Sequence, residues 1–319
     1  MSVPTAEPTV FADLFDAIVG NVSRVIQGKP DVVELALICL LAEGHLLVED
    51  VPGVGKTSLA KALAASIQCS WKRVQFTPDL LPSDVVGVSV WQRGKDTFEF
   101  RPGPIFANLV LADEINRASP KTQAALLEAM EEGQVTADGV SYRLSQPFMV
   151  IATQNPVEHE GTYPLPESQL DRFLMRLSMG YPTRDAELEI LETHGSPGAL
   201  DALRPVAQVE QVVGMIRAVR QVHVAEPVKH YLVDLADATR RHPAVQLGMS
   251  PRATLALLRA TRARAAAAGR DHVRPDDVKA LAEPVIGHRL VLGPDAQLQG
   301  VAVSRVVAEV LNAVAVPTR

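Results

Sequence analysis

Aromatic residues are scarce, 4% of 319, so the interior must be built from Leu, Val, Ile and Ala, and each Trp or Phe becomes worth locating. Cysteine is nearly absent. Cys39 and Cys69 lie in apolar, helix-like stretches outside any CxxC or Cys/His spacing, which argues against a disulfide framework or thiolate metal site and suits a reducing compartment. The eight histidines show no i, i+4 metal spacing, and His159-Glu160 reads as loop, so no protein-held transition metal is expected. Basic charge is not in excess either: a net charge of -6 argues against non-specific attraction to nucleic acid or an anionic membrane. Long apolar runs are missing. The longest, Leu35 to Ala42, is too short to span a bilayer, and Met1 to Phe11 lacks the basic and apolar regions of a secretion signal, so the cytoplasm is the expected location.

What is present is an ordinary globular composition, long enough for two domains. Pro30 to Ala42 has helical period, and His45 to Glu49 reads as a short buried strand leading into a Gly-containing turn, after which Ser58 to Ile67 continues as a helix. Ala107 to Ala112 is a strand stopping at Asp113-Glu114. Ser119 as N-cap and Pro120 at the first helical position open a helix through Glu131. Gln134 to Leu144 reads as a hairpin turned at Asp138-Gly139, Pro147 to Thr153 as a strand ending at Gln154-Asn155, and Phe173 to Ser178 as another. Strands alternating with helices predict an α/β domain with a mainly parallel sheet covered on both faces, over residues 1–182. From residue 183 to 319 the period is helical throughout, with helices expected at Arg184–His194, Val209–Val222, Pro227–Arg241, Pro251–Ala268, Pro275–Leu281 and Gly300–Ala313. No internal repeat is evident.

Strand, Gly-containing turn, Lys-Thr and helix together form the arrangement that wraps backbone N–H groups around phosphate and adds the positive end of a helix. Here the turn runs from Pro52 through Gly53, Val54 and Gly55 to Lys56 and Thr57, with Ser58 opening the helix. Lys56 would reach the β- and γ-phosphates, and the Thr57 hydroxyl would ligate Mg²⁺. Asp50 stands where the full phosphate-loop pattern has its first glycine. The second element is Asp113-Glu114. An acidic pair at the end of a buried strand is costly unless a cation sits there, and phosphoryl transfer to water needs both a carboxylate for the metal and a base. Asp113 fits the first role and Glu114 the second.

With these two elements in place, the chain resembles the AAA+ ATPases and, within them, the MoxR family. The resemblance is carried by Glu49-Asp50-Val51-Pro52-Gly53-Val54-Gly55-Lys56-Thr57, Ala112-Asp113-Glu114-Ile115-Asn116-Arg117-Ala118 and Ala125-Leu126-Leu127-Glu128-Ala129-Met130-Glu131-Glu132-Gly133. Ala152-Thr153-Gln154-Asn155-Pro156, Gly161-Thr162-Tyr163-Pro164-Leu165-Pro166-Glu167, Leu170-Asp171-Arg172-Phe173 and Ser250-Pro251-Arg252 complete it. The resemblance implies ATP and Mg²⁺ as cofactors, a five-stranded sheet of order 5-1-4-3-2, a small all-α lid and a ring of identical subunits, usually a hexamer. The position of Asp50 is commonly not glycine in this family.

Further roles follow from the resemblance. Asn155 resembles sensor 1, which positions the attacking water, although Asn before Pro is also a common turn starter. Arg172 resembles the arginine finger that reaches a neighbour's nucleotide; the plainer alternative is an ion pair with Asp171 or Glu167. Arg117 is a second candidate for that role. Arg252 lies in the first turn after its N-cap Ser250, where the helix dipole disfavours a cation unless an anion is near, and it resembles sensor 2 of the lid. Ile26 and Gly28 resemble the segment that packs on adenine. The segment between Pro82 and Pro104, with Trp91, Phe98 and Phe100 around Gly94-Lys95-Asp96, resembles the helix-2 insert. That insert would face the pore or the ring surface and act on a client, or else pack its aromatics on the body.

The function so implied is a remodeller that hydrolyses ATP to mature or assemble partner proteins, some of which in this family carry von Willebrand factor A domains. Two other readings stay open: a nucleotide-gated scaffold with negligible turnover, and a magnesium-chelatase-like or DNA-associated motor. No Asn-Lys-x-Asp guanine signature and no Gly-Ala-Phe-Thr-Gly-Ala loop is present, which argues against a GTPase and an enhancer-binding activator. The intact Glu114, Asn155 and Arg172 favour the enzyme.

Overall fold

The computed structural model describes residues 8–51, 53–94, 96–155, 161–194 and 200–317. Pro52 of the turn, Lys95 at the insert's tip, Pro156 and His159-Glu160 lie outside them. The chain begins with α1 (Pro8–Ser23) and α2 (Pro30–Leu41), then β1 (Leu46–Glu49), α3 (Lys56–Ile67), β2 (Trp71–Gln75) and α4 (Pro82–Val86). The hairpin β3 (Gly87–Gln92) and β4 (Thr97–Pro102) precedes β5 (Leu109–Asp113), α5 (Pro120–Glu132), the hairpin β6 (Gln134–Ala137) and β7 (Val140–Arg143), β8 (Met149–Gln154), α6 (Glu167–Leu170) and β9 (Met175–Leu177). Helices α7 (Arg184–His194), α8 (Val209–Gln221) and α9 (Glu226–Arg241) follow, then β10 (Val245–Leu247), α10 (Pro251–Ala267), α11 (Pro275–Ile286), β11 (Val291–Leu292), α12 (Pro294–Leu298) and α13 (Val303–Ala313).

The central sheet has the order β2-β5-β8-β1-β9, every neighbour parallel. Counting these five strands alone gives 5-1-4-3-2, as the family resemblance implies. Strands covered on both faces must be apolar at successive positions, and the interior strands β8 and β5 show it. In β8, Met149 and Ile151 enter the core under α1 to α3, while Val150 and Ala152 enter the core under α5; Leu109/Leu111 and Val110/Ala112 of β5 divide the same way. Because side chains alternate, a one-residue slip would exchange the two cores, which fixes the register that carries Asp113 to the strand end.

Helix boundaries follow local chemistry. Ser119 Oγ accepts from the Thr122 amide and Ser250 Oγ from the Ala253 amide, each with proline in the first turn. The first core does not stop at the sheet. Leu37 and Leu63 join Ala260, Val278 and Val285 in one cluster, so α10 and α11 continue the packing of α2 and α3.

Several elements were not evident in the sequence. Helix α1 and strand β2 were not anticipated. Helix α11 runs past Leu281 to Ile286 with Pro284 inside it, and the helical second half also contains an antiparallel pairing of β10 with β11. No helix among the described residues is long and apolar enough to cross a membrane.

Candidate nucleotide site

The end of β1, the phosphate loop and the tips of β5 and β8 meet around a cavity of about 360 Å³. Gly53, Gly55, Lys56, Thr57 and Ser58 line one side; Asp113, Glu114 and Asn155 line the other. Gly55 is the N-cap of α3 at φ 95°, a left-handed conformation that allows the loop to turn into the helix beside the cavity. Val54 packs against the apolar core instead.

Asp50 explains its own departure from glycine. Its Oδ2 accepts from the Gly180 amide at 2.6 Å and the Ser178 hydroxyl at 3.0 Å, and its Oδ1 from the Val51 amide at 2.9 Å, so it ties the loop's entrance to the segment after β9. Burial alone would raise the Asp50 pKa. The amide of Gly180, the Ser178 hydroxyl and the amides of Val51 and Met179 outweigh it and hold the carboxyl below its ordinary value. Lys56 Nζ donates to the Asp50 carbonyl oxygen at 2.7 Å, which places the ammonium across the loop.

The acidic pair is held from two directions. Thr153 of β8 donates its hydroxyl to Asp113 Oδ1 at 2.6 Å and accepts from the Glu114 amide at 2.9 Å, coupling the two strand tips. Glu114 itself is left-handed, φ 57°, which turns its side chain off the strand direction. Its Oε2 accepts from Gln75 Nε2 at 2.7 Å and from Arg117 Nη1 at 3.0 Å. Arg117 is therefore engaged by the same chain's Glu114. Arg73 of β2 donates to Asp113 Oδ2 through Nη2 at 2.6 Å and lines the cavity as well. Neither Arg73 nor Gln75 was singled out from the sequence; their i, i+2 spacing places both on one face of a strand that had not been recognised.

The donor set suits Mg²⁺ with a nucleotide. A threonine hydroxyl and an aspartate carboxylate are hard oxygen ligands, and Mg²⁺ ordinarily takes only one or two protein carboxylates beside phosphate and water. Among the described residues no group of three or more His, Cys, Asp or Glu could hold a metal by itself. Beside the loop, Ile26 is buried, its Cδ1 3.9 Å from where a Cβ on Gly55 would stand. Gly28 approaches α7 so closely that a Cβ there would fall 2.8 Å from that of Ala186, so it serves the packing of this corner as much as any ligand.

Arg172 and Arg252 are not in this cavity. Both ion-pair with Glu131 at the end of α5, Arg172 Nη1 to Oε2 at 3.2 Å and Arg252 Nη2 to Oε1. Arg172 thus takes neither Asp171 nor Glu167 as its partner. Asp171 is held instead by Ser250 Oγ at 2.9 Å and by the buried Arg289 at 2.7 Å.

Comparison with known proteins agrees with this architecture. Residues 45–175 match the ATPase family associated with various cellular activities (AAA), and residues 237–310 match the AAA lid domain. Chaperone MoxR1 of Mycobacterium tuberculosis is 40% identical over 93% of this chain and 81% of its own length. The uncharacterized protein YeaC of Bacillus subtilis is 52% identical over 94% of both chains. A crystal structure of a candidate ATPase from Cytophaga hutchinsonii superposes with a TM-score of 0.90 at 34% identity, covering 98% of this chain and 97% of that one. A parallel sheet of this order, a lid packed on its first core and relatives matched nearly end to end place the chain in the MoxR family of AAA+ ATPases.

Proposed function

We propose that this chain hydrolyses ATP at a site completed only between subunits of a ring, and uses the cycle to remodel or help assemble partner proteins in the cytoplasm. The observation that carries the reading is the separation of the two halves of the machinery. Gly53, Gly55, Lys56, Thr57, Asp113 and Glu114 share one cavity, whereas Arg172 and Arg252 converge on a carboxylate elsewhere. Two guanidinium groups held around one anion suit a phosphate, and a γ-phosphate presented by a neighbouring subunit would replace Glu131 as their partner.

In this reading ATP with Mg²⁺ supplies the reactive phosphate. Loop amides from Gly53 to Thr57 and the Lys56 ammonium bind its oxygens, while Thr57 and Asp113 hold the metal and the helix end of α3 favours the negative charge. Glu114 takes the proton of the attacking water, which Asn155 orients. Arg172 from the adjacent subunit neutralises charge developing on the transferred group, a contribution of about 10³–10⁵ in rate where such fingers have been measured. Arg252 acts beside it. The chaperone description of the relative from Mycobacterium tuberculosis supports a protein client, and a von Willebrand factor A domain partner and a hexameric ring belong to the same proposal. The hairpins β3–β4 and β6–β7 are candidates for contacting the client. Trp91 and Phe98 remain exposed there, while Phe100 stacks on Tyr142 at 4.1 Å and joins the two hairpins.

The test is the ATPase rate against protein concentration for the wild type, Glu114→Gln and Arg172→Ala. Activity per subunit should rise with concentration, and both variants should lose it while Glu114→Gln still binds ATP. Activity independent of concentration and of Arg172 would overturn the shared site; nucleotide binding without turnover in assembled wild type would favour a scaffold.

A further inference from the structure

Strand β2 lies at the edge of the sheet, where Arg73 pairs in register with Leu111 and Gln75 with Asp113. Arg73 Nε and Nη2 both donate to Asp113 Oδ2, at 3.1 and 2.6 Å, and Nη2 also donates to Gln75 Oε1 at 3.0 Å. With Thr153 on Oδ1, both carboxylate oxygens of Asp113 are engaged. Yet this is the carboxylate the nucleotide-site reading assigns to the metal. A guanidinium on this carboxylate competes with Mg²⁺ for it, because both of its oxygens are already engaged and the two cations repel each other. The cavity that Arg73 lines is also the one in which Lys56 and Thr57 would hold phosphates.

We propose that Arg73 is the counter-ion of Asp113 in the nucleotide-free chain and moves to the terminal phosphate when ATP loads, releasing Asp113 to Mg²⁺. This rests on the nucleotide site proposed above and adds a third arginine to it, acting within the same subunit and distinct from Arg172 and Arg252. The exchange conserves charge partners at each stage. Before loading, Asp113 neutralises Arg73; after loading, the γ-phosphate does, and the planar guanidinium offers the paired N–H donors that phosphate oxygens accept. Arg73 then carries part of the triphosphate's charge even without the metal. A diphosphate, one phosphate shorter, gains much less from it.

The measurement is the affinity of fluorescent, non-hydrolysable ATP and of fluorescent ADP for the full chain, with Mg²⁺ and with EDTA, in wild type, Arg73→Ala and Arg73→Lys. In EDTA, Arg73→Ala should weaken the triphosphate about tenfold while leaving the diphosphate nearly unchanged. Mg²⁺ should recover most of that loss, and Arg73→Lys should lie between the two. Because each variant serves as its own reference through the ratio of the two nucleotides, a merely structural role would weaken both alike and leave the ratio at its wild-type value. A ratio in EDTA that stays within about twofold of wild type overturns the role of Arg73 alone. Wild type that binds neither nucleotide in any condition overturns the nucleotide site itself.

Discussion

Arg289 donates from Nε to Asp171 Oδ1 at 2.7 Å, joining the lid to the residue immediately before Arg172. The rest of the guanidinium is spent on carbonyl oxygens of Asp171, Phe173, Leu174 and Val285, and the side chain is only 3% exposed. Ser250, the N-cap of α10, holds the other oxygen of Asp171. Two lid elements therefore fix the segment bearing Arg172, and α10 itself bears Arg252.

Removing one partner of a buried, hydrogen-bonded pair leaves the other charge unmatched. Arg289→Met should destabilise the fold by about 3–5 kcal/mol, read as a shift of the denaturant midpoint at constant m-value. Arg289→Lys should recover less than half of this, because an ammonium cannot serve Asp171 and the surrounding carbonyls at once. A lysine variant as stable as wild type would show that charge alone matters there.

Gly55→Ala separates binding from folding. A Cβ at this position would meet Met179 Cε at 3.6 Å and Ile26 Cδ1 at 3.9 Å, both ordinary contacts, so its cost lies in the φ of +95° rather than in space. The expected loss of stability is about 1–2 kcal/mol. Nucleotide affinity should fall about tenfold or more as the loop relaxes. Unchanged affinity in a folded variant would mean that the loop does not need this backbone conformation to bind.

His45 makes stability depend on pH. Its Nε2–H donates to the Met130 carbonyl oxygen at 3.0 Å, and its Nδ1 accepts from the Val150 amide at 3.0 Å, an arrangement that demands the neutral ring. Burial pushes its pKa down to about 4; the Met130 carbonyl opposes this and Arg259 adds to it. A folded pKa below the unfolded value means that protons bind the unfolded chain first. Stability is therefore complete above the unfolded value of about 6.5 and declines as pH falls toward 4, by about 1.4 kcal/mol at pH 5.5 from this residue. The buried His288, also pushed down by burial, has the same sign. Denaturant midpoints at neutral and mildly acidic pH should fall less in His45→Gln than in wild type, and equal falls would assign the dependence elsewhere.

The sequence reveals this site unevenly, for physical reasons. Phosphate chemistry requires particular residues at consecutive positions, so Gly53 to Thr57 and Asp113-Glu114 stand out in the sequence as candidates, and the structure brings Gly53, Gly55, Lys56, Thr57, Asp113 and Glu114 to one cavity. The sheet order followed from the family resemblance. What could not be read are contacts between distant segments. Nothing local in Asp50 indicates that Ser178 and Gly180 will bind it, and nothing in Glu131 indicates that Arg172 and Arg252 will meet there. Strand β2 escaped notice because, as an edge strand, it buries few side chains and carries polar residues at Lys72, Arg73 and Gln75, which erase the apolar alternation. Helix α11, expected to end at Leu281, runs on through Pro284 to Ile286, because tertiary packing of Val285 and Ile286 overrides a local breaker.

The central claim is that each active site takes Glu114 from one subunit and Arg172 from the next, and subunit mixing tests it most directly. Glu114→Gln and Arg172→Ala should each be nearly inactive alone. In an equimolar mixture, some interfaces join the intact Glu114 of one variant to the intact Arg172 of the other, so ATPase activity should reappear, to about a quarter of wild type if subunits assort at random and interfaces act independently. A mixture as inactive as its components, under conditions where the two variants demonstrably co-assemble, would contradict the shared site.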